Sequence, residues 1–591
     1  MEYTREKLES EAGSIFRIAG ATHSFEVARE RLFLRASRYQ FDFYSGDIEP
    51  SVRNIVRVRD CVKVFRTILT PKADKLSGFS VARALFDLAR GKSRTDLKPG
   101  FYAELIYLIM GMQGRGPGAS PADYPTTETD TPREEALMRS RELDKIWKLV
   151  EKRMARYAHG LQSDVIERRK RNRKRILSAL GASESDWHDW RWQFKKVVKD
   201  VKVLEKLVPL TKEERENIAR AREAHLPFGV TPYYLSLMDN KRHSGDSAIR
   251  AQVFPPSNYI EVMKAHRNDR ECTFDFMLEA QTSPIDLVTR RYPGIAIIKP
   301  YNTCPQICVY CQRNWEIDSA MTPRALASSK KIEEALNWVA EHPAIHELLI
   351  TGGDPFALND RTINALLERI SKIKSIKHIR IGSRTPVTVP MRITDELIDI
   401  LKRHIKPGQR SISLVTHIEH PYEITPDTAA VVAKCRAADI PVYNQQVFTF
   451  YNSRRFESAL LRQLLRRIGV DPYYLFNCKG KHETANYIVP IARLLQEVNE
   501  EARLLPGLSR TDEPVYNVPG LGKNYLRSSQ HHDVISILPD GSRVYEFHPW
   551  EPRAAGFKNY VGIDVPVLSY LQRLKQIGED ISEYETIWYY Y

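Results

Sequence analysis

The sequence predicts an α/β protein whose core is a parallel sheet of six strands. From about residue 290 onwards, short apolar runs of strand length alternate with stretches of helical periodicity, and parallel neighbouring strands need crossover connections of this kind. Right-handed crossovers repeated along a chain produce either a doubly wound sheet or a partial barrel. Polar residues stand at or just after the predicted strands, and in barrels that edge carries the active site.

The predicted strands and helices alternate strictly along the chain. The strands are Ile295–Pro300, Glu347–Thr351, His378–Ile381, Ser411–Val415, Val442–Val447 and Tyr473–Phe476. The helices fall at about 330–341, 361–373, 394–404, 426–437, 455–468 and 485–503. The residues at or just after the strands are Cys304, Gly352, Ser383, His417, Asn444 and Lys479. They are the first candidates for a functional site.

The part of the chain that precedes the sheet is predicted to be helical. Apolar residues recur at helical spacing over the first 110 positions. The segment Gly111–Pro132, rich in Gly, Pro, Thr and Ser, is the candidate linker. A long charged helix or helix pair is predicted from Arg133 to about Leu180. Its basic run Arg168–Arg175 is interpreted as a solvated helix face; a nucleic-acid patch is less favoured, because no aromatic residues interleave the run.

The composition is that of a folded protein with ample material for a core, at 591 residues, 42% hydrophobic and 28% charged. The net charge of +15 leaves nucleic acid or an acidic substrate open as a partner. Seven cysteines are too few for a disulfide scaffold and no signal peptide opens the chain, so a reducing cytoplasm is predicted. The most apolar stretch, Phe101–Met112, is too short to span a bilayer. A membrane protein, a collagen-like fibre and a disordered chain are excluded.

Three cysteines follow the first predicted strand with the spacing C-x-x-x-C-x-x-C: Cys304, Cys308 and Cys311. Three thiolates on one loop can surround one metal centre. A structural zinc site would want a fourth protein ligand, whereas a four-iron four-sulfur cluster held by three thiolates leaves one iron open to a small molecule. The cluster is favoured over zinc and over unliganded thiols, because an unliganded trio would be prone to oxidation.

With Tyr310 before the last cysteine, this spacing resembles the signature of the radical SAM superfamily. Thr351-Gly-Gly-Asp-Pro355, after the second strand, is similar to the glycine motif of that superfamily, which holds the amino group of S-adenosylmethionine (SAM). The glycines let the backbone approach a ligand, and the carboxylate of Asp354 could face the ammonium group. The resemblance implies a four-iron four-sulfur cluster on the three cysteines, with SAM bound by Tyr310, Gly352, Gly353 and Asp354.

Further segments resemble the lysine 2,3-aminomutase family specifically: Arg380-Ile-Gly-Ser-Arg-Thr-Pro386, Thr416-His-Ile-Glu-His-Pro421 and Asn444-Gln445. The similarity runs from about Trp187 to about Pro552. It implies a partial (β/α)6 barrel of radical SAM type with an added N-terminal helical domain. It also assigns cofactor-binding roles to Tyr292, Ser383, Arg384, His417, Asn444 and Gln445. The implied division is a mostly helical extension of unknown role at 1–186, a helical lead-in at 187–285, the barrel at 286–510 and a C-terminal region at 511–591.

The segment Asn517-Val-Pro-Gly-Leu-Gly-Lys523 matches the loop of this family whose lysine forms the Schiff base with pyridoxal phosphate (PLP). A phosphate loop is the rival interpretation, but Asn524 follows the lysine where that motif needs Ser or Thr. Two departures concern PLP: the glycine run of the family is one residue longer, and its second arginine before the cluster is Ile295 here. Arg290, Arg291 or Lys299 could replace that arginine. No cysteine follows Cys478, so no structural zinc is expected.

The resemblance also bears on the substrate. Arg313 matches the arginine of the family that binds the substrate α-carboxylate, which a guanidinium fork fits well. Lysine enzymes of the family place two aspartates around the ε-ammonium, and those positions are Lys479 and Asn517 here. This pattern resembles glutamate 2,3-aminomutase. The alternatives are a mutase for lysine or another basic amino acid, a radical enzyme acting on a protein-bound residue, a binding protein with a degenerate site, and a Lys479 that points to solvent.

The predicted protein is therefore a cytoplasmic isomerase that moves the α-amino group of an amino acid to Cβ. The expected partners are a small amino acid substrate, a reducing electron donor such as flavodoxin or ferredoxin, and further copies of the chain in a homo-oligomer. Neither a membrane nor nucleic acid is expected as a partner.

Overall fold

The computed structural model describes residues 2–45, 52–116, 131–239, 245–478, 482–528, 530–549 and 559–591, without the side chains of residues 43, 52–54, 271 and 272. The chain forms two compact units. We call Met1–Val150, Val489–Leu504 and Pro514–Tyr591 the terminal unit, and Glu151–Ile488 with Leu505–Glu513 the barrel unit. These units divide the chain differently from the boundaries at 186, 285 and 510, which stay a proposal.

The terminal unit begins with eight helices. They are α1 (Arg5–Glu11), α2 (Gly13–Gly20), α3 (Phe25–Tyr44), α4 (Val52–Ile68), α5 (Pro71–Ser77), α6 (Val81–Ala89), α7 (Pro99–Met112) and α8 (Pro132–Met154). Thr4, Ser24, Thr70 and Ser80 start four of them, each accepting a backbone N–H of the first turn. Helix α7 is buried along most of its length. The helical prediction for this region is confirmed, and the predicted linker falls largely outside the described residues.

No helix in the described ranges is long and apolar enough to cross a membrane.

Where the structure describes the chain ahead of the sheet of the barrel unit, it has nine helices. They are α9 (Ser163–Leu180), α10 (Glu184–His188), α11 (Trp190–Lys195), α12 (Val201–Leu207), α13 (Lys212–Glu223), α14 (Pro232–Leu235), α15 (Ser247–Ala251), α16 (Ser257–Ala265) and α17 (Arg270–Phe274). Capping boxes at Ser183 and Thr211 start α10 and α13.

The basic run Arg168–Arg175 lies on α9, and the prediction that it is a solvated face is only half right. Arg168 donates to the hydroxyl of Tyr422 (2.7 Å) and Arg169 to that of Tyr233 (2.9 Å). The residues of the run that face solvent are Lys170, Arg171 and Lys174. Arg168 and Arg169 therefore hold α9 against the rest of its own unit, because their guanidinium groups donate hydrogen bonds to tyrosine hydroxyls.

Seven strands of the sheet lie in chain order within the described residues of the barrel unit. They are β1 (Val288–Tyr292), β2 (Ile295–Tyr301), β3 (Glu347–Gly352), β4 (His378–Gly382), β5 (Ser411–Thr416), β6 (Val442–Phe448) and β7 (Val470–Asn477). Strand β1 is antiparallel to β2, and the pairs from β2 to β7 are parallel. Side chains at matching register form a buried apolar row across five strands: Ile298, Ile350, Ile381, Leu414 and Val442.

Helices connect the parallel strands. They are α18 (Ser329–Ala340), α19 (Asp360–Ser371), α20 (Thr385–Thr388), α21 (Asp395–Arg403), α22 (Pro426–Ala437) and α23 (Glu457–Ile468). The six predicted strands and the first five predicted helices are confirmed, and the arrangement is a partial (β/α)6 barrel. Strong strand and helix periodicity explains this agreement, because each element buries one regular face.

The sixth predicted helix, at 485–503, is wrong in its extent. The structure has a 3₁₀ turn at His482–Tyr487, then α24 (Ile491–Gln496), a π-helical turn at Glu497–Glu501 and a 3₁₀ turn at Ala502–Leu504. Pro490 precedes α24, and a proline cannot continue a helix that starts before it.

The remainder of the terminal unit is mostly strand. It has β8 (Glu513–Val518), β9 (Gly522–Tyr525), β10 (His532–Ile537), β11 (Arg543–Phe547), β12 (Tyr560–Ile563) and α25 (Val567–Gln576), with a final 3₁₀ segment at Ile581–Tyr589. Arg543 is 1% exposed and binds the carboxylate of Glu104 on α7 and the carbonyls of Trp588 and Tyr590. This buried arginine therefore ties the end of the chain to the N-terminal helices.

Candidate active site

The three cysteines lie on the loop that follows β2, at the carboxyl edge of the sheet. The N–H of Ile307 on this loop donates to the carbonyl of Gly229 (3.0 Å), and the N–H of Cys311 donates to the carbonyl of Cys308 (3.1 Å). All three cysteine residues are partly buried. The loop is thus anchored to the lead-in region and turns tightly between its second and third cysteine.

The two glycines after β3 have a structural reason that the sequence did not reveal. Gly352 has φ +111°, and a Cβ there would lie 2.7 Å from the carbonyl oxygen of Tyr301; a Cβ on Gly353 would lie 2.1 Å from the carbonyl oxygen of Thr303. The N–H of Gly353 donates to Tyr301 (2.6 Å) and that of Asp354 to Thr303 (3.0 Å). The glycines therefore let the end of β3 lie directly against the start of the cysteine loop.

Asp354 is 5% exposed, and its carboxylate binds the protein itself. One oxygen accepts the N–H of Phe356 (3.0 Å) and the hydroxyl of Ser383 (2.6 Å). The other accepts the N–H groups of Arg384 (2.9 Å) and Thr385 (3.0 Å). Four donors fill the lone-pair sites of a carboxylate. Asp354 and Ser383 thus join the ends of β3 and β4.

We call Arg384, Glu423, Gln252 and Tyr234 the Arg384 cluster. The Arg384 guanidinium donates to the Sγ of Cys308 (2.7 Å), to Glu423 (2.7 Å) and to the side-chain oxygen of Gln252. Glu423 is fully buried and also accepts the hydroxyl of Tyr234 (2.7 Å). One cation and one carboxylate balance each other here.

Glu419, which lies close to the Arg384 cluster, adds no charge at neutral pH. Burial raises the pKa of Glu419 to about 8. One of its oxygens accepts the N–H of Val447 (2.6 Å).

A second set of charged side chains adjoins the cysteine loop. We call this set the Glu279 cluster, and its members are Glu279, Glu316, Arg291, Lys299 and Arg313. Arg313 donates to Glu279 (2.6 Å) and to both oxygens of Glu316 (3.0 and 2.9 Å). Lys299 donates to the same oxygen of Glu279 (3.1 Å), and Arg291 lies 3.8 Å from the other oxygen. Burial opposes ionisation of Glu279, but these cations prevail and lower its pKa to about 2.

Other predicted site residues divide between this edge of the sheet and elsewhere. Asn444 binds both backbone groups of Ile418 (2.7 and 3.0 Å) and so shapes the turn after β5. The carbonyl of His417 accepts from Arg384 (3.2 Å). Gln445 is partly buried on β6, and the hydroxyl of Tyr310 donates to Gln252 (3.0 Å). Tyr292 is the last residue of β1 and pairs with the first residue of β2, whereas Cys304 follows the last residue of β2. Tyr292 is thus not brought to the cysteine edge.

The carboxyl edge fits an iron–sulfur cluster. Burial raises the pKa of the Cys308 thiol to about 11 even with Arg384 beside it. Burial and the neighbouring Asp354 and cysteines raise the pKa of Cys304 far more. Thiolates here therefore need bound metal to offset their charge. Within the described ranges no three His, Cys, Asp or Glu side chains are close enough together to bind a single metal ion. A four-iron cluster does not need such a group, because each thiolate binds a different iron.

Unpartnered polar atoms at this edge also fit a bound ligand. Gln306 on the cysteine loop, Thr385 after β4 and Thr416 at the end of β5 are buried. Their side-chain polar atoms have no hydrogen-bond partner in the described part of the chain. Buried polar groups in native proteins are normally paired, so these three side chains are available to a cofactor such as SAM.

Lys523 lies in the terminal unit, on the hairpin formed by β8 and β9. Its cross-strand partner is Asn517. The turn between the strands has Pro519 followed by Gly520 at φ +69°, the pattern of a type II turn, and Gly522 has φ +84°. A lysine on a short glycine-flanked hairpin fits the role of PLP-binding lysine. Lys479 lies outside the described residues.

Several of these contacts have no signal in the sequence. Glu279, Gln252 and Glu423 belong to no motif, and their partners come from distant parts of the chain. Glu316 also belongs to no motif, although its partner Arg313 is only three residues away. Glu423 lies two residues past the segment Thr416–Pro421, which resembles the aminomutase family. Its closeness to that segment is the one sign in the sequence that it belongs to the site.

The fold and the site define a class. A partial barrel with three cysteines spaced C-x-x-x-C-x-x-C after its first parallel strand, and a Gly-Gly-Asp turn after its second, is the arrangement of a radical SAM enzyme. The family described as the radical SAM superfamily matches residues 298–441.

Similarity to known proteins narrows this class of enzyme to one family. An uncharacterized KamA family protein of Methanocaldococcus jannaschii is 44% identical, over 96% of this chain and 95% of that protein. Glutamate 2,3-aminomutase of Clostridioides difficile is 32% identical, over 69% of this chain and 91% of that protein. L-lysine 2,3-aminomutase of Clostridium subterminale is 30% identical, over 60% of this chain and 82% of that protein. The chain belongs to this KamA family of radical SAM 2,3-aminomutases, which are isomerases. Its cofactors are a four-iron four-sulfur cluster, SAM and PLP.

Proposed function

We propose that this protein moves the α-amino group of L-glutamate to Cβ and so forms β-glutamate. The observation that carries the choice of substrate is the pair Lys479 and Asn517, which stand where lysine enzymes of the family have aspartates. A cation and an amide suit a side-chain carboxylate. A buried substrate ammonium facing a lysine would cost roughly 3–5 kcal/mol.

The net reaction is an isomerisation. The C–N bond at Cα breaks, a C–N bond at Cβ forms, and one hydrogen moves in the opposite direction, so no second substrate is consumed. When bound, the cofactors supply the radical and the electron sink. The residues of the chain would bind and orient: the three cysteines the cluster, Lys523 the PLP, and Arg313 the α-carboxylate of the substrate.

Two features of the barrel unit support the radical assignment of the carboxyl edge. The backbone contacts between β3 and the cysteine loop join the SAM turn to the cluster loop. The saturated carboxylate of Asp354 fixes the turn after β4 against the turn after β3. Rigid neighbouring loops restrict the motion of a reactive species and exclude water from it.

The second candidate is a mutase for lysine or another basic amino acid. It is favoured by the lysine enzyme of C. subterminale, whose 30% identity is close to the 32% of the glutamate enzyme. Overall identity therefore does not separate the substrates. A radical SAM enzyme acting on a protein-bound residue is the remaining alternative.

The deciding experiment is anaerobic reconstitution with iron, sulfide and PLP, followed by product analysis with glutamate, lysine and other amino acids. We expect a brown protein with the spin signal of a reduced four-iron cluster, which forms β-glutamate and barely converts lysine. Efficient rearrangement of lysine would remove the glutamate assignment and leave the radical chemistry intact. Stoichiometric zinc without iron would contradict both.

Lys523→Ala should lose the absorbance of the PLP–lysine Schiff base and keep its iron. The cysteines and the lysine lie on separate segments, so cofactor loss at one should spare the other. The measurement is the visible spectrum with iron and PLP analysis, and Lys575→Ala on α25 is a matched control. A Schiff base that persisted in Lys523→Ala would assign the role to another lysine.

Replacing Lys479 and Asn517 together by aspartate should lower glutamate turnover by orders of magnitude. Two new carboxylates would face the substrate carboxylate in a shielded site, where like charges cost several kcal/mol. The measurement is kcat/KM for glutamate, with Lys479→Gln, which leaves Asn517 in place, as the neutral comparison. Unchanged turnover in the aspartate variant would show that these residues do not face the substrate.

We also propose a cytoplasmic location, a low-potential electron donor such as flavodoxin or ferredoxin, and assembly into a homo-oligomer. The cluster would have to be in its reduced state to cleave SAM, so activation of the enzyme needs one electron, and this requirement supports the donor. Iron–sulfur chemistry supports a reducing compartment.

A further inference from the structure

The guanidinium group of Arg384 is held on three sides. Its Nε donates to the carbonyl of His417 (3.2 Å), while Nη2 donates to Glu423 (2.7 Å) and to the side-chain oxygen of Gln252. The other terminal nitrogen, Nη1, donates to the Sγ of Cys308 (2.7 Å). A guanidinium is planar and its donors have a fixed arrangement, so the contacts of Nε and Nη2 set the position of Nη1. A charged N–H group is therefore aimed at one of the cluster cysteines.

Gln252, which supports Arg384, also supports the cysteine loop. Its backbone carbonyl accepts the N–H of Val309 (2.9 Å), and its side-chain oxygen accepts the hydroxyl of Tyr310 (3.0 Å). Gln252 is 4% exposed, and its side-chain nitrogen has no partner among the described residues, as expected beside a bound cofactor. One buried residue thus holds both Arg384 and the loop that carries Cys308.

The contact on Cys308 differs in strength from the one on Cys311. The Sγ of Cys311 accepts the backbone N–H of Arg313 (3.3 Å), which is a neutral donor. Arg384 is a charged donor whose side chain is only 11% exposed, and the side chain of its partner Glu423 is fully buried. Charged donors form stronger hydrogen bonds than neutral ones, and a low dielectric strengthens them further. Cys308 therefore receives the stronger of these two hydrogen bonds.

We propose that Arg384 donates a hydrogen bond to the Cys308 thiolate in the loaded enzyme and so raises the reduction potential of the four-iron cluster. Gln252 and Glu423 are the positioning residues that hold Arg384 there. Reduction adds one electron from an external reductant to the cluster and neither forms nor breaks a bond. The added negative charge strengthens an N–H···S hydrogen bond, so this bond favours the reduced state; hydrogen bonds to the sulfurs are among the features that set such potentials.

The carboxylate of Glu423 opposes the charge of Arg384 but not the directed hydrogen bond, because it binds Nη2 and not Nη1. A higher potential makes it easier for the cluster to accept the electron that it needs to cleave SAM. This inference rests on the radical SAM class of the protein and not on the choice of glutamate as substrate.

The test is a redox titration of the anaerobic holoprotein loaded with iron, sulfide and PLP, without SAM. The reduced cluster is quantified by its spin signal. Arg384→Met combined with Glu423→Gln removes the ion pair as a unit, so the net charge is unchanged and no buried charge is left unpaired. At a fixed potential the ratio of reduced to oxidised cluster should fall about tenfold, or about 59 mV for a one-electron couple. Arg462→Met combined with Asp512→Asn, which removes another buried ion pair, is the matched control and should leave the potential unchanged.

Two single variants separate the hydrogen bond from a folding defect. Gln252→Met removes the shared support and keeps Arg384 and Glu423. It should lower the reduced fraction less than tenfold, with unchanged iron content. Glu423→Gln keeps an acceptor oxygen for Arg384 and removes the opposing charge, so it should shift the potential upward. General loosening of the site would not move the potential in opposite directions in these two variants.

Three outcomes would overturn the proposal. An unchanged potential in the double variant and in Gln252→Met, with full iron content, would show that the hydrogen bond on Cys308 does not set the potential. Weaker binding of SAM by these variants at an unchanged potential would assign Arg384 to SAM. Loss of iron from both would make the contact a requirement for cluster assembly and remove its redox role. Conversion of lysine in place of glutamate would contradict the substrate proposal and leave this inference standing.

Discussion

The Arg384 cluster and the Glu279 cluster adjoin the same cysteine loop but differ in how their charges are shared. Arg384 pairs with one carboxylate, that of the fully buried Glu423. In the second cluster, Glu279 is shared among Arg291, Lys299 and Arg313, and Glu316 is shared between Lys299 and Arg313. The first cluster is therefore a single ion pair, whereas the second is a network.

This difference should appear in the stability of variants. A buried cation with a single buried carboxylate depends on that partner, and removal of either leaves a charge without compensation. A carboxylate shared among three cations tolerates the loss of one. Stability measurements on the two clusters should therefore diverge.

The largest expected effect is that of Arg384→Met, at about 3–5 kcal/mol of unfolding free energy. It leaves the carboxyl group of Glu423 fully buried and without its cation. Arg313→Met should cost about 1.5–3 kcal/mol, because Glu279 keeps Lys299 and Arg291. Urea unfolding of the apoprotein compares the two variants, with Arg384→Lys as the charge-retaining control. Equal losses would remove the distinction between the clusters.

Asp354→Ala should cost about 2–4 kcal/mol, because four donors lose their acceptor and three of them are backbone N–H groups. Asp354→Asn should cost less, since one acceptor oxygen remains. The measurement is again urea unfolding, with Asp286→Ala at the surface as the control. SAM affinity measured separately should fall for both variants. If SAM affinity fell while stability stayed at the wild-type value, Asp354 would contact SAM instead of bracing the turns.

The last expected effect is absent at neutral pH, because it is a pH dependence from Glu279. Its pKa is lowered to about 2 in the folded protein, so its contribution to stability is complete above the unfolded pKa near 4.5. That contribution is lost as pH falls from about 4.5 to about 2, and we expect about 3 kcal/mol from it. Glu279→Gln should flatten the stability curve over that range. A curve identical to that of wild type would mean that the cations do not hold this carboxylate.

The sequence predicted the barrel well because its strands and helices are strongly periodic and short. The bounds of β3, Glu347–Gly352, differ from the predicted strand by one residue. The prediction of the sixth helix is wrong at Pro490. The proline indicated a break at this point, but the helical periodicity on both sides suggested one continuous helix. The cysteine spacing and the two glycines were visible as local patterns, since a loop that binds one centre keeps its ligands close in the chain.

What the sequence by itself determined is the class of the protein: alternating strands and helices, three cysteines on one loop and a glycine turn one unit later. What only the tertiary structure decided is how the charges are shared. Glu279 meets Arg313 across 34 residues and Arg384 meets Gln252 across 132, and Asp354 turned out to bind four donors of its own chain. Local patterns arise from backbone geometry, which neighbours in sequence set. Pairing of buried charges depends on which distant segments the fold brings into contact, and no spacing in the sequence encodes that.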